Sequence, residues 1–157
     1  MKIKLLAIGK TDDKHLNELI AVYQKRLQYY VPFELEIIPD LKNSKNLSQD
    51  QQKQKEGELI LSKLSTFDQL ILLDEKGKEF RSLEFANYLQ KKMNSGIKQL
   101  VFVIGGPYGF SKDVYQKSMG KVSLSKMTFS HQMIRLFVVE QIYRGFTILR
   151  NEPYHHE

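Results

Sequence analysis

The sequence predicts an α/β fold, a parallel-rich sheet with helices on both faces. Three observations predict it. Short apolar runs at 2–8, 69–73 and 100–104 have the length and branching of buried strands. Segments with helical apolar spacing separate them. Two of the runs stop at turn signals, Asp-Glu-Lys-Gly-Lys at 74–78 and Gly-Gly-Pro-Tyr-Gly at 105–109.

The elements follow in order. The first strand, 2–8, ends at Gly9. From 14 to 29, Leu16, Leu19, Ile20, Tyr23 and Leu27 recur at helical spacing, and Pro32 forbids continuation. Residues 33–37 alternate strictly, the mark of a strand with one wet face, so this strand lies nearer an edge than the 100–104 run. Ser48 caps a helix to about residue 64, whose polar first half, 49–58, projects into solvent. The third strand, 69–73, ends at the 74–78 turn. Ser82 caps a helix through 93 with Leu83, Ala86, Leu89 and Met93 on one face, and Gly96 ends it.

Residues 100–104 are five apolar residues in a row, three of them β-branched, which predicts a strand covered on both faces. Ser111 then caps a short helix from about 112 to 119. Residues 122–124 read as a brief strand, 125–130 as a loop, 131–149 as the last helix and 151–157 as a tail. The last helix is apolar nearly all the way round. One face can cover the sheet; the other needs a second cover, most simply the same helix of a second subunit. Close packing of another backbone would also justify Gly145 inside it.

Composition narrows the class. The 157 residues suit one domain. With 41% hydrophobic and 27% charged residues the chain reads as soluble and globular, and no apolar run approaches a membrane span. There is no cysteine, which excludes disulfides and thiolate metal sites and fits a cytoplasmic protein. The net charge is +6. Residues 1–80 carry 13 Lys/Arg against 13 Asp/Glu, and residues 81–157 carry 11 against 5. The excess therefore lies in the half with the glycine turn, and a positive field there suits a polyanion such as RNA.

The turn at 105–109 sits where open α/β sheets bind ligands, at a strand's carboxyl end. It is neither of the common nucleotide loops: no G-x-G-x-x-G is present and no Gly-Lys-Ser/Thr follows. None of the four histidines has metal-ligand spacing with an acidic partner, so no metal is expected. No nucleophile elbow or carboxylate pair stands out. Chemistry without these is chemistry whose reactive group a cofactor carries, and methyl transfer from a sulfonium is such a case.

Five segments occur in order: 103–109, Leu-Ser-Lys-Met-Thr-Phe at 124–129, His131-Gln132, Glu-Gln-Ile-Tyr-Arg at 140–144, and Pro-Tyr-His at 153–155. With the opening Met1-Lys2-Ile3 and the length, the chain resembles the ribosomal RNA large subunit methyltransferase H (RlmH) family, a small single-domain branch of the SPOUT methyltransferases. The resemblance implies a C-terminal deep trefoil knot, an exception to the rule against threaded chains. It implies S-adenosylmethionine as cofactor and a homodimer as the active form. The implied reaction is N3 methylation of a pseudouridine in large-subunit ribosomal RNA, on the assembled ribosome.

Carried over by position, the resemblance assigns cofactor contacts to Leu73, Gly105, Leu124, Ser125, Lys126, Met127, Thr128 and Phe129. For Leu124, Met127 and Phe129, filling the core is the competing role. Arg144, Tyr154 and His155 are assigned to the acceptor end. Arg144 interrupts an apolar helix, so its charge needs a partner, an RNA phosphate or a carboxylate such as Glu140. Tyr154 can stack on a base, and His155 can accept the N3 proton. Ser130 stands where the family usually has proline; a serine there can cap the last helix. Two other readings stay open: a flavodoxin-like nucleotide-binding protein, and a non-catalytic ribosome-associated RNA-binding protein.

Overall fold

A computed structural model describes residues 1–156; Glu157, the last residue of the expected tail, lies outside the described residues. Five strands form one sheet: β1 (Lys2–Ile8), β2 (Phe33–Ile38), β3 (Asp68–Glu79), β4 (Gln99–Ile104) and β5 (Gly120–Ser123). Their order is β2-β1-β4-β3-β5, and every pairing is parallel. The alternating β2 lies at an edge. The 100–104 run is the middle strand, and all five of its residues are buried.

Parallel strands need crossovers, and α1 to α4 supply them, while α5 follows the last strand. α1 (Lys14–Leu27), α3 (Ser82–Asn94) and α5 (Met133–Leu149) cover one face. α2 (Gln49–Ser62) and α4 (Lys112–Lys117) cover the other. On the first face Leu5, Phe102 and Ile71 meet Leu27, Leu89 and Ile142; on the second Leu6, Val103 and Leu72 meet Ile60 and Val114. Alternate residues of one strand thus serve two cores.

The structure departs from the sequence reading in several places. α1 ends at Leu27, where Tyr30 and Val31 turn back onto the Leu27 carbonyl. The polar half of α2 is not wholly in solvent: Glu56 and Gly57 are buried. β3 does not stop at 73 but runs to Glu79 through a bulge. Ser82 opens α3 rather than capping it; the Glu84 carboxylate accepts the Arg81 N–H at 2.8 Å instead. Leu83 is exposed, and Phe85 takes the inward place. α4 ends at Lys117, β5 covers 120–123 without Leu124, and α5 begins at Met133.

Gly145 is explained within the chain. A Cβ there would lie 2.9 Å from Leu89 Cδ1 and 3.7 Å from Ala86 Cα, so the close approach is α5 on α3. α5 is wedged between α1 and α3, yet Met133 and Phe137 remain exposed on its free flank. Among the described residues, no helix is long and apolar enough to cross a membrane.

Candidate active site

The bulge of β3 and the carboxyl ends of β4 and β5 converge on a cleft of about 440 Å³. Residues 73–76, 104–110 and 122–129 (without Lys126) wall it, and His131 and Ile134 close one end. Each wall has a local cause. In the β3–β5 ladder Val122 pairs with both Leu73 and Lys78, so residues 74–77 leave the ladder. Asp74 Oδ1 accepts the Lys76 N–H at 2.8 Å and shapes this bulge. Asp74 Oδ2 accepts the Tyr115 hydroxyl at 2.6 Å, joining β3 to α4 across the cleft. Burial, with Asp74 beside it, pushes the Tyr115 hydroxyl up to about 12, so it is a donor at neutral pH.

The second wall is the glycine turn. Gly106 and Gly109 pair as an isolated antiparallel bridge, and Gly109 takes φ +81°. Ser111 Oγ accepts the Val114 N–H and starts α4, as its position predicts. A Cβ on Gly105 would lie 2.9 Å from the Phe110 ring, so only glycine leaves this backbone open to the cleft.

In the third wall, Ser125 Oγ accepts the Met127 N–H at 3.0 Å, and the Ser125 carbonyl accepts the Ser123 hydroxyl at 2.8 Å. Ser130 Oγ accepts the Met133 N–H at 3.1 Å, so the serine caps α5. Leu73, Gly105, Leu124, Ser125, Met127, Thr128 and Phe129 therefore line one cleft. Lys126 is exposed and does not line it. Met127 is 76% exposed and fills no core, whereas Leu124 also packs on the main core.

Arg144, Tyr154 and His155 come together elsewhere, around Glu140. Arg144 donates to Glu140 Oε1 through Nε at 3.1 Å and Nη2 at 2.6 Å. Tyr154 donates to the same oxygen at 2.9 Å, and the Tyr23 hydroxyl lies 3.2 Å from that of Tyr154. Burial, then these hydrogen bonds, push the Tyr154 hydroxyl above its ordinary range. The Arg144 guanidinium sits 4.7 Å from the Tyr154 ring centre, and its Nη1 is 3.5 Å from His155 Nδ1. Tyr30 donates to Glu152, docking the tail. None of the three acceptor-end residues lines the 440 Å³ cleft of its own chain.

Sequence reasoning gave no role in the site to three residues that line the cleft, His131, Asp74 and Tyr115, nor to the buried Arg135. His131, named only as part of the His131-Gln132 pair, borders the cleft. Asp74 and Tyr115 carried no motif. Arg135 is 1% exposed and donates to the Ile8 carbonyl at 2.7 Å and Thr11 Oγ1 at 2.8 Å. Its signal was the one used for Arg144, a charge inside an apolar helix. Beside it Gln132 Oε1 accepts the Asp12 N–H at 2.9 Å, so the start of α5 is tied to the loop after β1.

The family described as predicted SPOUT methyltransferase matches residues 1–155. The chain is 73% identical over 157 residues to the ribosomal RNA large subunit methyltransferase H of Flavobacterium johnsoniae, covering 100% of both chains. It is 71% identical to that of Flavobacterium psychrophilum over the same 157 residues, and 60% to that of Bacteroides thetaiotaomicron. A solved probable methylase family protein from Haemophilus influenzae Rd KW20 shares the fold, with TM-score 0.50 at 12% identity over 95% of this chain and 66% of that one. The chain therefore belongs to the SPOUT methyltransferases and, within them, to the ribosomal RNA large subunit methyltransferase H family.

Proposed function

We propose that this chain is an S-adenosylmethionine-dependent methyltransferase acting on N3 of a pseudouridine in large-subunit ribosomal RNA. It works in the cytoplasm, as a homodimer of single-domain subunits, on the assembled ribosome. The C-terminal trefoil knot of the family belongs to the same proposal. The observation that carries it is the cleft at the bulge of β3 and the ends of β4 and β5, into which seven of the eight expected cofactor contacts converge.

The residues present fit such a donor. Leu73, Leu124 and Phe129 offer apolar surface for an adenine ring, while the backbone at 105, 124, 128 and 129 offers N–H and C=O groups to its edge. Asp74 and Glu75 place negative charge at a wall where a cationic sulfonium gains from it. S-adenosylmethionine, when bound, supplies an electrophilic methyl group that needs no metal or protein nucleophile.

The chain aligns the acceptor, excludes water and takes a proton. Arg144 donates through Nη1 to His155 Nδ1, an arrangement that leaves the neutral ring's hydrogen on Nε2. Nδ1 is then the basic nitrogen. It receives the N3 proton when the 3.5 Å contact from Arg144 Nη1 gives way, with Nε and Nη2 staying on Glu140. Tyr154, held by Glu140 and Tyr23, packs against the base. Because this cluster does not line its own cleft, a second subunit brings it to the donor. Exposed Met133 and Phe137 on the free flank of α5 supply apolar surface for that contact.

Calorimetry tests the carrying observation. S-adenosylmethionine should bind the purified chain saturably, and flavin mononucleotide should not. Binding of the flavin with no heat from the sulfonium would overturn the reading in favour of a flavodoxin-like protein. The family match argues against that outcome.

A further inference from the structure

α2 meets the glycine turn at two successive residues, neither of which lines the cleft. Glu56 is 3% exposed in a helix half whose sequence is otherwise polar. Its Oε1 accepts Gln52 Nε2 at 2.8 Å, one turn back. Its Oε2 is buried and has no hydrogen-bond partner. This oxygen abuts Gly106: a Cβ there would lie 2.2 Å from Oε2 and 2.7 Å from Cδ. One residue on, Gly57 has the same relation to the far end of the turn, since a Cβ on it would lie 2.2 Å from Ser111 Oγ. Ser111 starts α4. The Glu56-Gly57 pair is thus a shaped bed for residues 106–111. Gly105, at the near end of that turn, is a wall of the cleft.

A carboxyl is an odd floor for a loop. Burying one with an oxygen unpaired is costly, and an apolar side chain would pack there at less cost. Its retention points to a task beyond packing. We propose that Glu56 is a positioning residue of the donor site: its carboxyl sets the height of the Gly105–Gly106 backbone, and so the fit of the methyl donor.

The inference rests on the cleft being the donor site. No cation is hydrogen-bonded to the Glu56 carboxyl. Burial holds its pKa above the usual carboxylate range; Gln52 opposes that, Asp40 after β2 adds to it, and a protonated His131 before α5 opposes it. As pH rises, ionisation of Glu56 puts an unpaired charge beneath the turn, and the turn lifts from its bed. Donor affinity therefore falls as Glu56 ionises.

The test is calorimetry of S-adenosylmethionine with the full chain, from weakly acidic to weakly alkaline pH, for wild type, Glu56→Gln and Glu56→Ala. Glu56→Gln keeps the shape without the ionisation, so it should bind as wild type does at low pH and lose the fall with rising pH. Glu56→Ala should bind about tenfold more weakly at every pH. Gly106→Ala should weaken binding too, and the double variant Gly106→Ala/Glu56→Ala should bind better than Gly106→Ala alone, because the space is returned. That rescue keeps the test decisive should Glu56→Ala fold poorly. Identical affinities and pH profiles in wild type and both Glu56 variants, or no rescue in the double variant, would overturn the role of Glu56 while leaving the donor site standing. No binding of the donor to wild type would instead overturn the donor site, and this inference with it.

Discussion

Arg144 gives two hydrogen bonds to one oxygen of Glu140, from Nε and from Nη2, and Tyr154 gives that oxygen a third. The arginine is therefore anchored rather than free, with Nη1 alone turned to His155. Glu140 is the hub that makes a helix residue and two tail residues one unit. Replacing it by glutamine removes the charge and cannot satisfy three donors. Glu140→Gln should lower stability by about 1–2 kcal/mol, read by denaturant unfolding, and lower methyl transfer more than donor affinity. Equal losses in both would place Glu140 with the fold alone.

The cleft wall at Gly105 has no room for a side chain. Gly105→Val should drive a methyl group against the Phe110 ring and close the donor site. Donor binding by calorimetry should fall below detection while far-ultraviolet circular dichroism stays native.

How far the sequence foretold these features depends on range. The strands, the Ser48, Ser111 and Ser130 caps and the edge place of β2 follow from local period and turn chemistry, and they stand in the structure. The continuation of β3 past Leu73 does not, because Asp-Glu-Lys-Gly-Lys has every mark of a turn and is held extended only by pairing with β5. Glu56 was equally hidden. Nothing local distinguishes it from Gln52 or Glu58; its burial comes from Gly106, fifty residues away in sequence. Likewise the cleft residues were grouped by the family resemblance, while Asp74 and Tyr115 meet only when β3 and α4 are assembled.

The proposed dimer predicts complementation, because the tail cluster and the cleft are separate within one chain. Neither Gly105→Val nor His155→Ala should methylate ribosomes alone. Mixing the two should restore part of the activity, since one site of each mixed dimer pairs an intact cleft with an intact tail. Absence of any restoration after verified subunit exchange would place cleft and tail in the same chain.

The free flank of α5 offers a direct check of the dimer. Phe137→Asp puts a charge on the exposed apolar stripe beside Met133 and Phe129. The variant should sediment as a monomer and remain folded, with methyl transfer lost.

The edge of the sheet supplies a pH test independent of the site. Hydrogen bonds from Lys4 and Lys63 hold the Glu36 carboxyl below its usual range. A depressed folded pKa gives stability that is present above the unfolded value and is lost as pH falls through the folded one. Glu36→Gln should therefore cost about 1 kcal/mol at neutral pH and progressively less in acid, read from urea midpoints along an acid series.

Methyl transfer itself is the most direct measurement. Labelled S-adenosylmethionine is offered with the chain to assembled ribosomes, separated subunits and naked RNA, and the labelled nucleoside is mapped. The account predicts label on N3 of a single pseudouridine of the large-subunit RNA, with assembled ribosomes the best substrate. Label on protein, on small-subunit RNA or nowhere would contradict it.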